Sequence, residues 1–296
     1  MLPLSHWIRQ KRILGTLQVT VGALMISFSA VFVKVAHVGP TMAGFYRVLF
    51  GGMVLALILR IRRERLFRGF GHTVMIMVCS LLFALDLTFW HRSIGYVGPG
   101  LATLLANFQV FFLALFGATV LRERPTWRGI VSIPLAMVGL YLIVGHNWPH
   151  LDKNYRIGVL FGLATAICYA AYILSLKKTQ SGSGGSGTLA TVALISLFTA
   201  VFMGAEAWTQ NEGFRIPDLQ SWIALIGYGI VGQVLGWVLI SAGLAKIEAS
   251  RVGLILLLQP TLAFVWDILF FARPTSLLEV LGALIVLLAI YLGTVR

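Results

Sequence analysis

Residues 117–126 read GATVLRERPT, and Arg124-Pro125-Thr126 returns as Arg273-Pro274-Thr275, 149 positions on (273 − 124). Just upstream, LANFQVFF (105–112) carries Gln109, and LLLQPTLA (256–263) carries Gln259, 150 positions later (259 − 109). Gly15 and Lys34 bracket one apolar segment as Gly158 and Lys177 bracket another, 143 positions on (158 − 15). Each match is weak alone. Their common order and near-constant offset predict a chain built from two similar halves, 1–148 and 149–296.

The composition says what surrounds those halves. Of 296 residues 58% are hydrophobic and 11% charged, and the mean hydropathy is +0.90. A soluble domain carries about 25% charged residues. This chain lacks the polar groups to cover its exterior in water, so its main solvent is lipid. A net charge of +13 would suggest nucleic acid in a soluble protein; here it serves as a topology signal, and no nucleic-acid partner is expected. Cys79 and Cys168 fall in apolar runs and read as buried thiols. The start MLPLSHWIRQKR resembles a signal peptide, but the apolar stretch 13–33 behind it is too long for one and reads as a first span.

With about 20 apolar residues per crossing, ten spans are predicted near 13–36, 40–59, 73–92, 97–121, 128–145, 157–177, 188–208, 219–244, 249–271 and 275–295. The fold class expected is an all-α polytopic membrane protein. Gly98-Pro99-Gly100 is expected to open the fourth span. Connections such as HVGP (37–40) and ARPT (272–275) are short enough to require antiparallel hairpins. Five spans per half is an odd number, so the second half enters from the opposite face, giving inverted repeats around a central cavity.

A cytoplasmic N-terminus puts 16 basic residues on the inner face: Arg9, Lys11, Arg12, Arg60, Arg62, Arg63, Arg65, Arg68, Arg122, Arg124, Arg128, Lys177, Lys178, Lys246, Arg251 and Arg296. The outer loops hold 5: Arg92, Lys153, Arg156, Arg215 and Arg273. That bias places both termini in the cytoplasm of a multi-pass protein of the inner (plasma) membrane, with Trp148 and Trp208 at the outer interface. The polar stretch SGSGGSG (181–187) is a flexible linker, native or substituted.

The paired ten-span repeats, GATVLRERPT and the Gln259-Pro260 span resemble the EamA branch of the drug/metabolite transporter superfamily over essentially the whole chain. Within that branch the chain is most similar to YddG-type exporters of aromatic and other amino acids. The resemblance implies a basket of ten helices around a cavity and efflux of small metabolites. One departure stands out: the acid after the fourth span, Glu123, has Ala272 as its counterpart, which puts a symmetric role for it in doubt.

Ionisable groups inside a membrane are costly and raise a functional question. Lys34, Arg47, Asp86, His91, Glu206 and Asp267 gather toward the outer half. Lys34, His91 and Glu206 read as snorkelling to the interface. Arg47 and Asp86 are deeper and read either as a structural pair or as cavity groups. An amino-acid zwitterion needs donors for its carboxylate, from Arg47 or amides such as Asn107, Gln233 and Gln259. Its ammonium needs Asp86 or an aromatic face, and an apolar side chain needs an aromatic wall. Phe83 and Trp90 share a stripe with Asp86, Tyr169 and Tyr172 share a face, and so do Gln233 and Trp237. For each aromatic the alternative is plain packing or lipid contact.

The chain has no GxSxG, HExxH, P-loop or paired Cys/His set, so neither an enzyme nor a metal or cofactor is expected. A secondary transporter by alternating access is the leading expectation, with a facilitated exchanger or channel as the alternative. The oligomeric state stays open. Asn107 and Gln109 point about 200° apart on a helix. Gln109 has a repeat partner and is expected to bond a neighbouring helix, whereas Asn107 aligns with Leu257 and is the better substrate contact.

Overall fold

The computed structural model describes residues 4–64, 70–120, 126–144, 153–181, 187–272 and 276–294. Lipid offers no hydrogen-bond partner to a bare peptide group, so apolar segments must satisfy their backbone internally, as helices. The described residues obey this throughout. The helices are α1 (Leu4–Ser27), α2 (Ser29–Val35), α3 (Pro40–Ile61), α4 (Phe70–Ala106), α5 (Gln109–Thr119), α6 (Trp127–Val144) and α7 (Lys153–Ser181). After them come α8 (Thr188–Thr209) and α9 (Leu219–Tyr228), a wide-turn π segment (Gly229–Gly236), then α10 (Trp237–Leu244), α11 (Ala249–Leu256), α12 (Leu258–Phe271) and α13 (Leu277–Thr294). Among the described residues seven stretches are long and apolar enough to cross a bilayer, and three shorter apolar helices accompany them. Arg124, Pro125, residues 273–275, Glu123, Trp148 and linker positions 182–186 lie outside the described residues, as does the side chain of Asp267.

The chain turns back where the third and fourth spans are expected to meet. Helical backbone continues through Gly98-Pro99-Gly100 instead of stopping there. The helix nevertheless folds back. A Cβ built on Gly162 of α7 would lie 2.6 Å from Leu105 Cβ and 3.1 Å from Ser93 Oγ. A straight helix would hold residues twelve apart about 18 Å from each other. The reversal therefore happens inside α4, and the Ser93 hydroxyl pins one arm by donating to Gly158 O at 2.9 Å. A second break comes at Asn107-Phe108, where tight i→i+3 bonds (Phe108 N to Leu105 O, 3.0 Å; Val110 N to Asn107 O, 3.1 Å) separate α4 from α5.

The halves keep a common register. α3 and α8 both have 22 residues and start 148 positions apart (188 − 40). α6 and α13 both have 18 and start 150 apart (277 − 127). The break at 107–108 recurs at Leu257, between α11 and α12. Even the ends match. α3 and α8 finish in the same Schellman cap, with Arg63 and Asn211 at φ 55° in the left-handed seat. For a residue with a Cβ that seat costs about 1–2 kcal/mol.

Packing follows the same exchange of halves. α1 lies on α10 and α4 on α7, while α3 pairs with α8, α5 with α11 and α6 with α13. The α1–α10 seam is drawn tight by glycines. A Cβ on Gly243 would come within 2.7 Å of Gly15 O, and one on Gly22 within 2.7 Å of Gly236 O. Such backbone contact is how helices associate where water provides no driving force. Outside the bilayer, Asp218 caps α9 by accepting from Ser221 N at 2.8 Å and binds His37 Nδ1 at 2.7 Å. The His37 hydrogen bond, aided by the Ser221 amide, holds the Asp218 carboxyl below the ordinary carboxylate range.

Gly243→Leu should destabilise this seam by about 1–3 kcal/mol through overpacking. It should lower the thermal midpoint in detergent by several degrees, while Gly71→Ala, which meets nothing within 4 Å, leaves it unchanged. Equal midpoints for the two variants would refute the close packing.

Candidate functional site

The deepest charge on α3 organises the centre. Arg47, 5% exposed, donates from Nε to Gln233 Oε1 at 3.1 Å and from Nη1 to Tyr228 Oη at 3.2 Å. Its guanidinium also lies 5.0 Å from the Tyr228 ring centroid and 5.8 Å from that of Phe83. Gln233 is held from its other end, its Nε2 donating to Ser196 Oγ of α8 at 2.8 Å.

Local sequence makes this possible. Tyr228 and Gln233 are five positions apart, and a 3.6-residue turn would set them about 140° apart. The π segment aligns i with i+5, so both side chains reach the same guanidinium. Glycines let the backbones close in: a Cβ on Gly51, one turn beyond Arg47, would sit 2.5 Å from Gln233 Cβ.

Beneath Arg47 lies an aromatic block. Phe83 stacks on Tyr172 with centroids 4.7 Å apart, and Trp237 meets both edge-on at 5.3 and 5.0 Å. These three rings are buried almost completely against one another, so they form the wall's support. Tyr169 is half-buried beside them, 6.3 Å from Trp237, and accepts from Gln259 Nε2 at 3.5 Å. Asp86 is 8% exposed and within electrostatic reach of Arg47 and Tyr169. Among the described residues nothing forms a hydrogen bond or ion pair with it. The centre thus holds a cation bonded only to neutral partners and an anion with no direct partner.

Arg47, Phe83, Asp86, Tyr169, Tyr172, Gln233, Trp237 and Gln259 are brought together. Trp90 is not; it is half-buried against His91 at 5.1 Å. Asn107 turns its amide to its own helix, Nδ2 donating to Thr103 O at 2.7 Å. Gln109, 1% exposed, leaves Oε1 without a donor, so the expected bond to a neighbouring helix through that oxygen is not made. Lys34 is exposed and lies over Phe271 at 4.5 Å. His91 does not snorkel: its Nδ1 is buried without a partner. Glu206 accepts from Thr88 and Gln210 and lies 3.6 Å from Arg92. The sequence reading missed Tyr228 and Ser196. Tyr228 was hidden by the assumption of ordinary helical spacing, and Ser196 carried no local signal.

The EamA-like transporter family profile matches residues 13–145 and 156–295. An uncharacterized transporter of Archaeoglobus fulgidus is 23% identical over 97% of this chain and 98% of its own length. A probable amino-acid metabolite efflux pump of Escherichia coli is 24% identical over 76% of this chain and 75% of its own. The pseudopaline exporter CntI of Pseudomonas aeruginosa is 23% identical over 83% and 82%. A solved crystal structure shares the fold, with a TM-score of 0.82 at 17% identity over 95% of this chain and 98% of that one.

The orphaned Gln109 oxygen gives a test of the site's anatomy. A buried acceptor without a donor carries a desolvation penalty of about 1–3 kcal/mol. Gln109→Leu should therefore keep or raise the thermal midpoint. Gln233→Leu, which strips Arg47 of a buried partner, should lower it markedly. A drop of similar size in both variants would show that Gln109 is bonded after all.

Proposed function

The chain belongs to the EamA-like transporter family, and from that premise we propose that it is a secondary-active exporter of small neutral amino acids, aromatic ones included. In this reading it crosses the inner membrane ten times as two inverted five-helix repeats, 1–148 and 149–296, with both termini cytoplasmic. Matched lengths, matched breaks and the exchange of packing partners support the repeat. The 16 to 5 distribution of basic residues supports the orientation.

The observation that carries the substrate class is the pair Arg47 and Asp86: both buried, within electrostatic reach, and not bonded to each other. A zwitterion supplies what each lacks. Its carboxylate meets the guanidinium fork, its ammonium meets Asp86, and its side chain lies along Tyr169 and the rings behind it. Asn107, at the break between α4 and α5, and Gln259, two positions beyond the matching break at Leu257, stand beside repeat-related breaks where movement would reshape the site. The efflux role named for the Escherichia coli relative agrees with this chemistry.

Counterflow in proteoliposomes tests the class. Labelled phenylalanine should enter saturably and faster when unlabelled phenylalanine is preloaded, and Arg47→Gln should reduce the rate at least about tenfold, the worth of one charged hydrogen bond. Linear, unsaturable flux would make the protein a channel, and unchanged flux in Arg47→Gln would remove Arg47 from the site.

A further inference from the structure

We propose that the end of α3 is a binding site for acidic phospholipid, in which Arg60, Arg62 and Arg63 take the headgroup phosphate and Ile61 and Phe70 meet the acyl chains. This goes beyond the transport reading and does not depend on it.

The first observation is the state of the three arginines. Arg12 pairs with Glu248 at 3.8 Å, Arg92 with Glu206 at 3.6 Å and Arg251 with Glu248 at 2.7 Å. Arg60, Arg62 and Arg63 lie within four positions, are exposed, and form no ion pair among the described residues. Guanidinium forks match phosphate oxygens two at a time. Clustered arginines beside a span carry the charge that acidic headgroups attract.

The second observation is backbone strain, which the repeat turns into an internal comparison. In both halves the cap is closed by the same bonds: Glu64 N to Leu59 O and Glu212 N to Ala207 O, each 3.0 Å. In both, the residue before sits at φ 55°. The second half fills that seat with Asn211, a residue that tolerates it. The first half uses Arg63, whose side chain gains nothing from the cap. An outlier of this kind raises a functional question at its own position; Ala272, at φ 49°, holds the left-handed region after α12.

The third is apolar exposure at the same membrane face. Ile61, the last residue of α3, is 73% exposed, and Phe70, the first of α4, is 88% exposed. A soluble phosphate has no use for them, whereas a lipid presents its chains beside its headgroup. The occupant is therefore a phospholipid.

The full-length protein in detergent, offered equal phosphatidylglycerol and phosphatidylcholine, can be read by native mass spectrometry. Wild type should retain phosphatidylglycerol preferentially, and R60Q/R62Q/R63Q should retain on the order of a hundredfold less, at about 1 kcal/mol per arginine. Arg63→Asn should raise the thermal midpoint, by relieving the cap, while lowering phosphatidylglycerol retention. A merely structural residue cannot move both readouts in those directions. The proposal is overturned if the triple variant retains lipid like wild type or if the two lipids are held equally. It is overturned too if millimolar inorganic phosphate displaces the lipid, which would make the site one for a soluble anion.

Discussion

A guanidinium inside a membrane must be bonded or it cannot stay there, and the centre of this fold is arranged around meeting that demand for Arg47. Its two acceptors come from α9 and the π segment, in the other half of the chain. Bringing Tyr228 and Gln233 onto one face requires the wide turn. Bringing that turn against α3 requires Gly51 and Gly229. Gln233, once committed to Arg47, needs a second partner and finds it in Ser196 of α8. One charge thus fixes four helical segments and joins the two halves. Because both partners are neutral, the positive charge itself remains uncompensated by direct contact.

The halves share a register but not every conformation. α1 stops at Ser27 and α2 restarts at Ser29, whereas α7, which occupies the corresponding place, runs unbroken from Lys153 to Ser181. Trp266 of α12 fills the break, stacking on Phe28 at 4.6 Å and donating from Nε1 to Ser27 Oγ at 2.8 Å. At the opposite end of α1, Lys246 Nζ donates to Gln18 Oε1 at 2.5 Å and Arg12 approaches Glu248. The same half-fold therefore exists here in two shapes.

Much of this was legible in the sequence, for identifiable reasons. Hydropathy and the Arg-Pro-Thr and Gln matches reveal an all-helical membrane chain in two halves, because lipid imposes one solution on the backbone. Arg47 and Asp86 declare themselves by being charges in apolar runs. The reversal inside α4 falls where Gly98-Pro99-Gly100 marks the start of a new span. Two things were hidden. Tyr228 was hidden by the π turn, which breaks the 3.6-residue spacing. The roles of Asn107 and Gln109 were hidden because an amide's partner depends on local breaks: Asn107 answers its own helix, and Gln109 Oε1 answers nothing.

The central claim is that Arg47 is a carboxylate dock held ready by neutral partners. Calorimetric titration of the purified protein with phenylalanine and with phenylalanine amide, for wild type and Arg47→Gln, measures it most directly. The account predicts that wild type binds the acid at least about tenfold more tightly than the amide, the value of a charged hydrogen bond, and that Arg47→Gln abolishes the difference. An undiminished preference for the acid in Arg47→Gln would contradict it.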